Sequence, residues 1–419
     1  MRHLLIAIMS CLFICVASAT DTVGYRTQLT LSPEDSALNA VTTLQVPQHY
    51  LAGGSVALFL NQKFSVTSVS GAQVESYAVE QSNKVPVWNE VIVNFSPTDK
   101  TASEWVQIEY SGTIDNDAQH GNFISPAKIH LSIDSAWHPI FTDFSTPIRG
   151  TVNIELGDDW KVFAPGQVSS DKNMHRVESN SPTIDVSLYA EKNPTSISNE
   201  NFTVIHDESN AENAEFVASA GLKCLQRMNQ QFGNHASLDS AHVILLKRPG
   251  PSFARGNHIS LNSQNLGTKR HTHQYLCHEI AHNWTYFTSA MSHDYWMIEA
   301  FAEYISAREI ERIYGKEAFD KIVKQWHHRS EGEAYVWRPD TNHRASHKVN
   351  YGLGPVALMK LQEKLGEEVF NELTHWYMAN DVTETEQLIK RLETLSDHTI
   401  ARWFSALLAG QQNFKESKV

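Results

Sequence analysis

His278 and His282 stand four residues apart, with Glu279 beside the first, in the run His278-Glu279-Ile280-Ala281-His282. On a helix, residues at i and i+4 share a face, so two imidazoles at this spacing can close on one metal ion. The Glu279 carboxylate is then placed to accept a proton from water activated by that ion. The chemistry implied is metal-assisted hydrolysis, with zinc the usual ion for an H-E-x-x-H helix. Two imidazoles do not complete such a site. A third ligand is required, and a fourth position must stay open for water.

A second cluster follows closely: Trp296-Met297-Ile298-Glu299-Ala300-Phe301-Ala302-Glu303-Tyr304. Helix formers dominate this stretch, and Gly315 is a natural C-terminal stop, so a second helix is expected to run to it. Glu299 and Glu303 share one face of that helix. Glu299 sits among Trp296, Ile298 and Phe301, an apolar setting unlike that of a solvated surface acid. It is the expected third ligand, completing a His₂Glu site for one zinc ion. Glu303 is better placed to accept from the far nitrogen of a ligand imidazole and so orient it.

The two segments together resemble the aminopeptidase N family of gluzincins. His278-Glu279-Ile280-Ala281-His282-Asn283-Trp284 is similar to that family's H-E-L-A-H-Q-W, and residues 296–304 to its W-L-N-E-G-F-A-x-Y. Sixteen residues separate His282 from Glu299, two fewer than is usual in the family, a difference that the connection between two helices can absorb. Further on, Tyr351-Gly352-Leu353-Gly354 resembles the family's Y-x-K-G-A, with Leu353 in place of the Lys. The resemblance implies peptide substrates and aminopeptidase-type hydrolysis. It also implies that the Tyr351 hydroxyl donates to the tetrahedral oxyanion, and a donor opposite the metal is what that developing charge needs.

One departure bears on substrate choice. The family's G-A-M-E-N strand carries a Glu that binds the free amino terminus of the substrate. In the matching region here, residues 253–261, Asn257 stands in register as a candidate substrate contact, while Gly256 replaces the Glu. Ile259 and Leu261 alternate with polar neighbours, which still predicts an edge strand able to pair with an extended substrate. Amine recognition by that Glu is lost. Three other readings therefore stand beside the aminopeptidase: a zinc endopeptidase, another zinc hydrolase, and a non-catalytic peptide- or protein-binding module. The intact Glu279 weighs against the last.

Met1-Arg2-His3, an apolar run over residues 4–16, and Ala17-Ser18-Ala19 read as an export signal, residues 1–19, cut after Ala19. An apolar run of about 13 residues is too short to span a bilayer. No other stretch is long and apolar enough, so the product is expected to be periplasmic or extracellular without stable membrane insertion. About 400 remaining residues suggest two or three domains, and 41% hydrophobic residues supply their cores. A formal charge of −13 gives no reason to expect nucleic acid as a partner. Cys224 and Cys277 remain after the signal; they can pair in an oxidising compartment or stay as two buried thiols.

Residues 20–200 read as an antiparallel β-sandwich. Alternating runs such as Gln28-Leu29-Thr30-Leu31, Val56-Ala57-Leu58-Phe59-Leu60 and Trp105-Val106-Gln107-Ile108-Glu109-Tyr110 are separated by turn residues. Tyr110-Ser111-Gly112 and Trp137-His138-Pro139 resemble the family's Y-x-G and W-Y-P, in the same order. Residues 201–419 read as a thermolysin-like α+β domain, mostly helical, with helices expected over 211–231, 356–365, 369–378, 385–395 and 400–408. The long helical-repeat domain of larger relatives has no counterpart in the remaining length, so an open cleft is expected. His271, His273, His327, His328, His343 and His347 lack partners at metal spacing and read as ordinary histidines. Arg344, just ahead of Tyr351, is a candidate contact for a substrate carboxylate.

Overall fold

The computed structural model describes residues 22–96, 104–115, 119–234, 236–285, 288–412 and 414. The export signal at residues 1–19 lies outside them. Strands Val23–Ser32 and Ala37–Val46 bury every second residue, the period of a pleated strand with one face on a core. They lie inside a seven-stranded sheet of order Gln167–Asp171, Met174–Thr183, Ile148–Glu155, Val23–Ser32, Ala37–Val46, Glu104–Thr113, Ser65–Ser70. Every pair in it is antiparallel except Val23–Ser32 with Ile148–Glu155, which run parallel. A four-stranded sheet of Ile140–Phe141, Ser55–Asn61, Trp88–Phe95 and Val74–Gln81 covers it. Leu29, Leu44, Val106 and Ile154 of the larger sheet share one core with Val56, Leu58, Leu60, Val91 and Val93 of the smaller. The N-terminal region is thus the expected sandwich.

Two further sheets lead to the helical region. The first contains Trp160–Phe163, Leu188–Lys192, Lys128–Leu131 and Phe123–Ile124. The second is mixed, in the order Thr195–Asn199, Phe202–His206, Ala241–Leu246, His258–Asn262, Phe253–Arg255. Thr195–Asn199 pairs with Phe202–His206, so this sheet begins ahead of residue 201, where the sequence pattern placed the boundary. His130 stitches the two sheets together: its Nδ1 donates to the Gly121 carbonyl at 3.0 Å, and its Nε2 accepts from Ser260 Oγ at 3.0 Å. Arg255 adds an ion pair to the fully buried Asp185.

The helices are α1 (Gln48–Gly53), α2 (Ala211–Phe232), α3 (Lys269–Ala281), α4 (Trp296–Tyr314), α5 (Lys316–Arg329), α6 (Gly354–Leu365), α7 (Glu367–Ala379), α8 (Thr385–Leu395) and α9 (His398–Leu408). Those over 211–231 and beyond residue 353 lie where hydrophobic spacing placed them. Helix α5 was not anticipated. Gly315 does end α4, at φ +81°, but the chain restarts as a helix at once. The buried Ala318, Phe319, Ile322, Val323 and Trp326 show the amphipathic spacing that could have revealed it. None of the helices among the described residues is long and apolar enough to cross a membrane.

Candidate metal centre

Helix α3 delivers the paired histidines. Its start is capped by Thr268, whose side chain accepts from the His271 amide at 3.3 Å. Cys277 faces α2 and forms a disulfide with Cys224, with the Cα atoms 5.4 Å apart. The second of the two alternatives for these cysteines, free thiols, does not hold. His273 stands near the same sulfurs, but they are bonded to each other and offer no thiolate to a metal.

Helix α4 delivers Glu299, and its first turn is pinned. Asp294 Oδ1 accepts from the Thr385 amide at 2.9 Å and from its hydroxyl at 2.6 Å. Trp296 Nε1 donates to the same hydroxyl at 2.9 Å. The connection from His282 thus ends in a fixed register at the start of α8, and the two-residue shortening does not displace Glu299 from the histidines.

Three ligand atoms converge. His278 Nε2 and His282 Nε2 lie 3.2 Å apart, and Glu299 Oε2 lies 3.3 Å from the first and 3.6 Å from the second. A tetrahedral zinc ion with bonds of about 2.0–2.1 Å requires ligand atoms about 3.3–3.4 Å apart. The triangle has that size. Glu299 Oε2 is buried without a hydrogen-bond partner, a costly state for a carboxylate oxygen unless a cation faces it. The donor set, two imidazoles and one carboxylate, is that of catalytic zinc sites.

Each ligand has an outer support. His278 Nδ1 faces Glu303 Oε2 at 3.4 Å. Glu303 is itself held by Trp326 Nε1 at 2.8 Å and Gln274 Nε2 at 3.2 Å, both donating to Oε1. His282 Nδ1 and Thr285 Oγ1 are 3.1 Å apart. The other oxygen of Glu299, Oε1, accepts from the Tyr295 hydroxyl at 2.8 Å. Tyr295 was missed in the sequence, although its position four residues ahead of Glu299 was a readable signal.

The charges in the site are set by burial and by one another. Burial opposes the charge on Glu299, but His282, His278 and Tyr351 outweigh it and hold its carboxyl well below the usual range. Burial lifts Glu279 to about 7; His278 counters that shift and the Glu299 charge adds to it. A carboxylate with that affinity for protons is suited to take one and give it back. Burial, then the Glu299 charge, push the Tyr351 hydroxyl well above its ordinary value, so it keeps its proton and remains a donor.

Tyr351 reaches the centre from a π-helical turn, Val349–Leu353, that runs into α6. Its ring centroid is 5.6 Å from that of His278 and 4.6 Å from that of His347. The turn sits tightly on α4 because residue 354 is Gly: a Cβ there would stand 2.8 Å from the Ala300 Cβ. Arg329 Nη1 donates to the Tyr351 carbonyl at 2.5 Å and fixes the turn from α5. His278, Glu279, His282, Glu299, Glu303 and Tyr351 are therefore brought together.

Asn257 is not among them. The region 253–261 is not one edge strand but a hairpin, with Phe253–Arg255 and His258–Asn262 joined through Gly256-Asn257. Gly-Asn is a two-residue turn, and Gly256 takes φ +55°, which favours residues without a Cβ. Asn257 Oδ1 accepts from the Gly166 amide at 2.8 Å and its Nδ2 donates to the Gly166 carbonyl at 3.0 Å. Its side-chain amide is thus engaged by Gly166 of the N-terminal region, and the hydrogen bonds tie it there rather than to the His278, His282 and Glu299 cluster.

No protein-family model matches the sequence, and no curated protein matches it by sequence. Solved structures resemble the fold. Native leukotriene A4 hydrolase from Saccharomyces cerevisiae superposes with a TM-score of 0.73 at 15% identity, covering 92% of this chain and 67% of that one. The M1 zinc metallopeptidase from Deinococcus radiodurans gives 0.68 at 15% identity, covering 94% of this chain and 95% of that one. A mutant of it bound to a Tyr-Ser-Ala substrate gives the same score and identity over 94% and 95%. The chain spans about two thirds of the yeast enzyme and has the two-domain architecture of the bacterial one.

Proposed function

We propose that the chain is a zinc-dependent hydrolase of peptide bonds. The observation that carries this reading is the triangle of His278 Nε2, His282 Nε2 and Glu299 Oε2, with edges of 3.2, 3.3 and 3.6 Å. His278, His282 and Glu299 would hold one zinc ion, and Glu303 would orient the first imidazole. Zinc bound there supplies Lewis acidity, acidifying water and polarising a carbonyl. Glu279 takes the proton of the attacking water and passes it to the leaving amine. Tyr351 donates to the oxygen on which negative charge develops.

The likeness to M1 zinc metallopeptidases, one of them holding a tripeptide, favours aminopeptidase-type action. Gly256 favours a second reading, cleavage without an anchored amine, because the hairpin turn offers no side chain there. Export through residues 1–19 belongs with either, and a buried disulfide suits an oxidising compartment.

The test uses purified protein loaded with zinc and matched peptides with free or acetylated amino termini, read by mass spectrometry. Glu279→Gln is expected to retain one zinc and lose about 10²–10⁴-fold in turnover. Glu299→Ala and His282→Ala are expected to lower bound zinc. Unchanged turnover in Glu279→Gln would sink the base assignment. Loss of single residues from free peptides only would establish an aminopeptidase; internal cleavage of both sets would establish an endopeptidase.

A further inference from the structure

Tyr295 stands beside the centre, with its hydroxyl on Glu299 Oε1 at 2.8 Å. The guanidinium carbon of Arg344 stands 4.6 Å from the centroid of the Tyr295 ring. One ring and one hydrogen bond therefore separate this cation from the ligand carboxylate. That is on the order of 8 Å, the reach of about two residues of extended chain.

Arg344 is exposed, and among the described residues no carboxylate pairs with it. The acids in and beside the metal centre are committed to other partners. Asp294 accepts from Thr385, Glu303 from Trp326 and Gln274, and Glu299 from Tyr295. Of the other cations, Arg255 is neutralised by Asp185, and Arg248 is spent on the Pro249 and Pro251 carbonyls and on Ser260. Arg344 is thus an exposed cation held by a ring stack, with no acid paired to it among the described residues. A guanidinium so presented matches a carboxylate, which it can grip through two parallel hydrogen bonds.

We propose that Arg344 anchors a carboxylate of the substrate, so that the site selects short peptides carrying one within about two residues of the scissile carbonyl. This rests on the peptide-hydrolase reading above. The carboxylate can be the C-terminus of a short peptide or an Asp or Glu side chain. Binding would then be directed by an acid on the substrate, held beside Tyr295.

The experiment uses two peptide pairs: one peptide with a free or amidated C-terminus, and one amidated peptide with Asp or Asn next to the scissile bond. Zinc-loaded protein is compared with Arg344→Ala and Arg344→Lys. The wild type is expected to prefer the carboxylate member of at least one pair by about tenfold in kcat/KM, mostly through KM. Arg344→Ala should bring that ratio near one, and Arg344→Lys should restore part of it. The pair that responds identifies the source of the carboxylate. Calorimetric binding of the same pairs to zinc-loaded Glu279→Gln reads the preference independently of turnover. Absence of cleavage with a surviving binding preference would defeat the hydrolase reading alone. Equal affinity across both pairs, or a preference that persists in Arg344→Ala, would overturn the Arg344 assignment.

Discussion

Glu299 presents its two oxygens to different partners, and the division explains why a tyrosine lies behind it. Oε2 completes the triangle with His278 and His282, while Oε1 accepts from Tyr295 at 2.8 Å. The bond turns the carboxylate so that a single oxygen faces the histidines. Groups that orient a metal ligand in this way typically contribute 10–100-fold to metal affinity. Tyr295→Phe keeps the ring beneath Arg344 and removes only the donor. It is expected to weaken zinc binding by about 10–100-fold, measured by competition with a chromogenic chelator. An unchanged affinity would mean that the α4 backbone alone holds the carboxylate in place.

The elements matter through how they are tied. The Cys224–Cys277 bridge joins α2 to α3 across 53 residues of chain, and Cys277 immediately precedes His278. Closing a loop of that length in the unfolded chain is worth about 2–4 kcal/mol. Cys224→Ala combined with Cys277→Ala is expected to lose that much in urea unfolding, and thiol titration of the unreduced wild type should find neither sulfhydryl. Equal midpoints for variant and wild type would show that packing of α2 on α3 suffices. The bridge, the Asp294–Thr385 contacts and the π-helical turn each fix one of the three segments that carry the site.

Across the whole molecule, His130, His138 and His258 are buried in the β-rich regions, and His242 lies half-buried against His258. Burial, with help from Arg248, lowers His130 to about 3, and burial lowers His138 and His242 to about 4; His258 is also lowered well below its ordinary value. The unfolded chain takes up protons on these groups at about 6.5, while the folded chain does not. Their contribution to stability is therefore complete above about pH 6.5 and is lost as pH falls toward 4. Each histidine accounts for up to about 1.4 kcal/mol per pH unit in that window. Urea midpoints at pH 7.5 and 5.0 should differ accordingly, and His130→Gln should make the dependence shallower. A slope unaltered by that substitution would remove His130 from the account.

What the sequence determined by itself is what depends on near neighbours along the chain. The spacing of His278 and His282, the apolar setting of Glu299 and the alternation in Val23–Ser32 follow from helix and strand periods, and the resemblance added Tyr351. Even Tyr295, unread, lay at helical distance from its partner. The remainder was decided by contacts between distant segments. Asn257 meets Gly166, separated by 91 residues; Trp326 meets Glu303; and Val23–Ser32 pairs in parallel with Ile148–Glu155. Only the packing of sheets and helices brings such groups together, because local propensity carries no information on which buried donor will satisfy which buried acceptor. The edge of each site, including the exposed Arg344 stacked on Tyr295, is set by that packing as well.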